Sequence, residues 1–308
     1  MNSRILTCVL LLLAQNIYAQ KYPALTVGEN QTKTLPAGIN NFSKIDIHSN
    51  GTLIIEPHSS DWCILNCTGD VNIHGTIKYS DFKSGRESHT TVAPDGTKLE
   101  YTFKEDNQGG SGGNGGNSGS GKYTGAGGKG VHGSGDLGGG GGGGGRYNPA
   151  DSIPKRATKG ADATGSMGGK MKTAGTEGSG GNGAVRDSFG NGGLLYIYCG
   201  GNFNGSSGSI SAKGKEGANG ASGANQTMKK GEDGPGAGGG GGGAPGGEGG
   251  VIKIKLVGTG DLFPALMVNG GAGGKGGSGG VGSFGDASNG KPGENGKPGA
   301  NGQVSVMH

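Results

Sequence analysis

Three stretches of the chain carry the same pattern of apolar and polar positions. They are CILNCTGDVNIHGTIKYSDFKSG at 63–85, YIYCGGNFNGSSGSISAKGKEG at 196–217 and IKIKLVGTGDLFPALMVNGGAGG at 252–274. Each opens with alternating apolar residues and passes a small turn, at Gly69-Asp70, Gly201-Asn202 or Gly260-Asp261. Each then resumes with a second short alternating run. Alternation of period two predicts strands, and Gly-Asp or Gly-Asn marks the turns between them. A fainter earlier copy is SKIDIHSNGTLIIEP at 43–57. Strand–turn–strand units joined by long excursions predict stacked coils, as in a parallel β-solenoid.

The excursions, roughly 108–193, 214–250 and 270–302, are where the glycines lie. Of 79 glycines in 308 residues, 72 follow residue 108. The run from Gly270 to Gly282 reads GGAGGKGGSGGVG, and Gly109 to Gly116 reads GGSGGNGG, so every third residue carries a side chain. Period three suits polyproline II, a helix with three residues per turn and no internal hydrogen bonds. Bare faces let such helices lie against one another, so the excursions are expected to pack as a bundle. The GGx triplets are expected inside it, and the strict G-X-Y runs at 214–223 and 290–302 at its edge. A collagen triple helix needs unbroken glycine at every third position over long lengths. Here the strict runs span at most four triplets and are out of phase, which excludes it. Segments 151–172 and 173–188 lack the period and read as flexible linker. The fold class expected is mainly β plus polyproline II, partly disordered.

Residues 1–19 read as a secretory signal: Arg4, the apolar run from Ile5 to Ala14, and Ile17-Tyr18-Ala19 before a cleavage point. The remaining chain divides by composition into a β-rich region at 20–107 and a glycine-rich region at 108–308. The latter has strand repeats at 194–213 and 251–268. Beyond the leader no apolar run is long enough to span a bilayer, so the expected location is extracellular, with no membrane partner. The net charge of +4 is thinly spread, whereas nucleic-acid proteins gather Lys and Arg on one face; no nucleic-acid partner is expected.

Without Cys8 of the leader, three cysteines remain. Stacked copies place Cys67 and Cys199 at one position on neighbouring strands, about 4.8 Å apart, within the Cα separation that a disulfide tolerates. That makes them the disulfide candidate and leaves Cys63 as a free thiol or one for an intermolecular bond. Candidate N-glycosylation sites are Asn30, Asn41, Asn50, Asn66, Asn204 and Asn225, each in an Asn-x-Ser/Thr sequon. No catalytic, cofactor or metal constellation stands out. The six histidines lack ligand spacing, and the near-P-loop from Gly116 to Lys122 has Tyr123 where a magnesium-binding hydroxyl belongs. Asp136 lacks the repeats that a calcium-binding coil needs. Asp46, Asp70 and Asp261 are assigned to turns or solvent. Lys155-Arg156 and Lys229-Lys230 are read as exposed basic pairs.

GGAGGKGGSGGVG and GKPGENGKPGANG resemble the sequence style of snow-flea antifreeze proteins and of the polyglycine-sandwich adhesins at phage tail-fibre tips. The resemblance covers about 200 residues and implies antiparallel polyproline II helices packed within one chain. The strand repeats and the leader depart from both families. More loosely, the chain is similar to glycine-rich proteins of invertebrate shell, cuticle and byssus. The function expected is a secreted, non-catalytic structural protein of an extracellular or biomineral matrix. Its expected partners are polysaccharide, protein or mineral, with self-association possible and no cofactor. The alternative is a surface-binding module, an adhesin or an ice binder.

Overall fold

The computed structural model describes residues 22–58, 60–80, 88–103, 109–115, 129–133, 139–142, 163, 183, 190–225, 237–260, 262–282 and 286–308. The proposed leader, the near-P-loop, Asp136, Asp261 and both basic pairs lie outside them. The first three strands are β1 (Ala24–Val27), β2 (Thr32–Pro36) and β3 (Gly38–Phe42). The next five are β4 (Lys44–Ile47), β5 (Thr52–Glu56), β6 (Trp62–Cys67), β7 (Val71–Ile73) and β8 (Thr76–Tyr79). After β9 (Ser88–Val92) and β10 (Lys98–Thr102) come β11 (Leu194–Cys199), β12 (Phe203–Asn204) and β13 (Ser209–Ser211). The last are β14 (Val251–Leu256), β15 (Ala265–Met267) and β16 (Gln303–Met307). No α-helix occurs among the described residues.

The chain visits three parallel sheets in rotation. The first sheet is β1-β4-β7-β12, the second β2-β5-β8-β13-β15 and the third β3-β6-β11-β14-β16. Alternation decides what faces inward: Val27, Ile47 and Ile73 come from the first sheet, Leu53, Ile77 and Ile210 from the second, and Leu65, Ile197 and Ile254 from the third. All meet in one core and are fully buried. Fully burying one such side chain stabilises by roughly 1.5–3 kcal/mol. The repeats at 63, 196 and 252 and the fainter copy at 43–57 thus form strands of shared sheets. An additional turn of chain, β1 to β3, precedes them.

The two regions divided by composition at 107/108 share a sheet, since β6 and β11 pair along their full lengths. One expectation is corrected. In the third repeat, the residues over Gly201-Asn202 are Gly258-Thr259, not Gly260-Asp261. A Cβ on Gly258 would lie 2.3 Å from the Gly201 carbonyl, and Thr259 Oγ1 donates to Asn202 Oδ1 at 2.7 Å.

The second and third glycine excursions leave from the second sheet and return to the third, and the strand register continues into them. Ser209 pairs with Ala265, an offset of 56; Asn219 bonds Lys275 and Ser222 bonds Ser278 at that same offset. Segment 237–250 lies innermost, and every one of its residues is buried. Its backbone donors point in directions that recur every third residue. Gly238, Gly241, Ala244, Gly247 and Gly250 donate to carbonyls of 212–225, and Gly240, Gly243, Gly246 and Gly249 to carbonyls of 288–302. Gly239 and Gly242 donate to Gly142 and Gly139. Pro245, which has no N–H, occupies this third series, and Glu248 gives its N–H to the Asn191 side chain at 3.0 Å. Carbonyls of the same segment accept from 268–282 and from Gly110 and Gly113.

Bare faces therefore match neighbours. The run Gly238–Gly243, with no side chain on any face, occupies the centre. The GGx run of 268–282 buries one glycine in each triplet and exposes Ala272, Lys275, Ser278 and Val281. The G-X-Y run of 290–302 lies at the margin with two open faces. The edge expectation for G-X-Y matches this layout; the interior belongs to polyglycine rather than to GGx.

Gly242→Ala sets a Cβ 1.8 Å from the Gly110 carbonyl oxygen and Gly243→Ala one 2.0 Å from that of Gly274. Overpacking of this kind costs about 1–3 kcal/mol. Thermal melting followed by circular dichroism is expected to fall by several degrees for either variant and to stay unchanged for Ser278→Ala.

Candidate binding surfaces

The exposed side of 268–282 is an ordered polar array. N–H groups that neighbouring carbonyls accept in the bundle interior are here accepted by asparagine side chains. Asn219 Oδ1 takes the Lys275 N–H and Asn225 Oδ1 that of Val281, both at 2.8 Å. From the other flank Asn289, Asn295 and Asn301 accept from Gly282, Gly276 and Gly270 at 2.8, 2.9 and 3.1 Å. Asparagines six residues apart therefore face the same way, two repeats of the period-three pattern. With Oδ1 engaged, each retains its Nδ2 donors, and Lys275, Lys291 and Lys297 on the same segments are exposed.

A second array lies on the outer face of the second sheet. Thr32, Thr52, Thr76 and Ser209 stand in register on successive strands, and the Thr76 and Ser209 hydroxyls are 3.1 Å apart. The adjacent outward column is Thr34, Ile54, Lys78, Ser211 and Met267.

The outer face of the third sheet is covered instead. β9 and β10 form an antiparallel hairpin through Pro94-Asp95-Gly96, with Gly96 in the left-handed region at φ +81°. The hairpin lays Ala93, Leu99, Tyr101 and Phe103 over Trp62, Ile64, Leu194, Tyr196 and Val251. Its turn is locked by Asp95, whose carboxylate accepts from Lys255 Nζ at 2.7 Å and Tyr196 Oη at 2.9 Å. Burial pushes the Asp95 carboxyl up, but the bonds from Lys255, Thr97 and Tyr196 outweigh it and hold its pKa at about 2. The sequence reading found the β-rich region but not this hairpin. Its signal was Pro-Asp-Gly between the alternating runs SHTTV and KLEYT. Its aromatic side chains Tyr101 and Phe103 are buried.

Cys67 and Cys199 are directly opposed on β6 and β11, the register expected from the repeat. Both are free thiols. Cys67 Sγ lies 3.5 and 3.4 Å from the Gly69 and Asp70 carbonyls, and Cys199 Sγ lies 3.6 and 3.4 Å from those of Gly69 and Gly201. Burial raises both thiol pKa values, that of Cys199 to about 11. Cys63, the candidate for a free or intermolecular thiol, is also free; it points into the core and is fully buried, which pushes its pKa up strongly. Of the sequons, Asn30, Asn50 and Asn225 are exposed, and Asn30 and Asn50 occupy left-handed turn positions at φ 56° and 58°. Asn41, Asn66 and Asn204 are half-buried, and Asn66 Nδ2 donates to Asn41 Oδ1 at 2.7 Å. Asp46 pairs with Lys44 at the surface, and Asp70 Oδ1 accepts the Asn202 N–H at 2.7 Å, tying two successive turns together.

Among the described residues no group of three or more His, Cys, Asp or Glu is placed to hold a metal ion, and no helix is long and apolar enough to cross a membrane. No protein-family model, curated protein or solved structure matches the chain.

Asp95 is ionised in the folded state down to about pH 2 but protonates near its ordinary 3.8 when unfolded. Its contribution is therefore present above pH 4 and lost as pH falls from about 4 to 2. Trp62, the single tryptophan, reports hairpin docking: its fluorescence is expected to shift to the red across that window. In Asp95→Asn the shift at neutral pH should already be partly complete, with its acid dependence flattened.

Proposed function

We propose that the chain is a secreted, non-catalytic structural component of an extracellular or biomineral matrix. In this reading it is a parallel β-solenoid carrying a polyproline II bundle along one corner. The observation that carries it is the central segment 237–250, whose backbone donors are all bonded in directions recurring every third residue. Three residues per turn is the polyproline II repeat. A backbone bonded on all sides is stiff, as a load-bearing module requires. Its outer faces present Asn, Lys and Ser at fixed intervals, about 9 Å per triplet at 3.1 Å rise. Such a lattice offers hydrogen bonds and positive charge to matrix polysaccharide, protein or mineral.

One observation favours the second reading, a surface-binding module such as an ice binder. The hydroxyl column Thr32, Thr52, Thr76 and Ser209 is regular and flat, and the lysines of the glycine runs lie elsewhere. The neighbouring column interrupts the array with Ile54, Lys78 and Met267, which leaves the matrix reading first.

Retention of the purified protein on insoluble chitin or on calcium carbonate is expected, with weaker retention on carbonate after Lys275, Lys291 and Lys297 are changed to Ala together. Passage through both materials, combined with thermal hysteresis in solution, would transfer the assignment to ice binding. In a glycosylating secretory host, mass spectrometry is expected to find glycan on Asn30, Asn50 and Asn225 and little on Asn41 and Asn66. The reverse distribution would contradict the placement of these side chains.

A further inference from the structure

The two ends of the three-sheet stack are finished differently. At the N-terminal end, the edge strands of the second and third sheets each carry a polar residue at one inward position. Lys33 stands over Leu53, and Asn40 over Leu65. Asn40 donates to the Pro36 and Gly38 carbonyls at 3.1 Å, closing that end with hydrogen bonds. Inward charge and polar closure are how natural sheets prevent a further strand from adding.

The C-terminal end has no such closure. β16 pairs only with β14 among the described strands and is the last strand of the third sheet. Its inward residues Val304 and Val306 continue the columns of Ile252 and Ile254, which are fully buried. Yet Val304 is 42% and Val306 36% exposed. Among the described residues these two inward side chains stay exposed where those one strand further in are buried.

We infer that this edge pairs with itself, joining two copies of the chain end to end about a twofold axis through Ser305. The strand reads Gln-Val-Ser-Val-Met, nearly a palindrome. Antiparallel pairing with Ser305 opposite its own counterpart sets Val304 of each copy against Val306 of the other. Inward residues then meet inward residues, and the two cores become continuous. A twofold contact uses the same patch on both chains and closes on itself. The rotation also exchanges the first and second sheets, so the first sheet of one copy lies beside the second sheet of the other. The glycine segments before β16 run off in opposite directions and do not collide. A head-to-tail stack is disfavoured because it would bury Lys33 against the uncovered core. The inference goes beyond the matrix reading and does not rest on it: it needs only the sheet edges.

The test uses the full chain from a secretory host. Sedimentation is expected to give twice the chain mass, and the double variant Val304→Lys, Val306→Lys the single mass, with Trp62 fluorescence unchanged. Ser305→Cys is expected to form a disulfide-linked dimer under mild oxidation, since Cys63, Cys67 and Cys199 are buried; Lys33→Cys is not. The cross-link reads the geometry even if the double variant fails to fold. A single-mass species at every concentration would overturn the inference. So would a dimer in which position 305 does not cross-link, or one that cross-links at position 33.

Discussion

The structure depends on how closely its backbones approach one another in the glycine segments. Carbonyl oxygens reach N–H groups of adjacent segments at 2.7–3.1 Å because no Cβ stands between them. Ordering glycine costs more backbone entropy than ordering any other residue. A single hydrogen bond returns only about 0.5–1.5 kcal/mol net. The segments therefore order together or not at all. What makes joint ordering feasible is the sheet at their base, where β13 and β15, and β14 and β16, fix the register before the glycines begin.

The sheets in turn owe their stability to a conventional apolar core. Only 30% of the residues are hydrophobic, so that core must be concentrated, and it is. Inward positions of three sheets share one interior, while the hairpin of β9 and β10 builds a second cluster on the outer face of the third sheet. That hairpin is held partly by charge. Asp95 bridges its turn to Lys255 and Tyr196, so the docking of this hairpin responds to acid.

Much of this layout was legible in the residues themselves. The strands within the four repeat copies follow from alternation, and the opposition of Cys67 and Cys199 follows from aligning the repeats. The hierarchy of glycine segments was only half legible. Period three shows which faces of a segment are bare, yet it does not show how many neighbours arrive. The slip at Gly258-Thr259 has a similar cause, since a Gly-Asp pair two residues further on offers an equally good local turn signal. An odd cysteine count leaves Cys63 over as a thiol but says nothing about its depth. Position 63 faces inward with Leu65 and Cys67, and that is a property of the stack.

By itself the sequence determined the local periods: two for the strands, three for the glycine segments, and the placement of turn residues between them. Those periods are set by geometry within a few residues, so they can be read without knowing what lies alongside. Only the tertiary structure decided that 237–250 lies at the centre, that Asn219, Asn225, Asn289, Asn295 and Asn301 cap the open N–H groups, and that Val304 and Val306 of β16 are exposed. Each depends on which segment comes to lie beside which. That order is fixed by strand pairings between residues 50 or more positions apart.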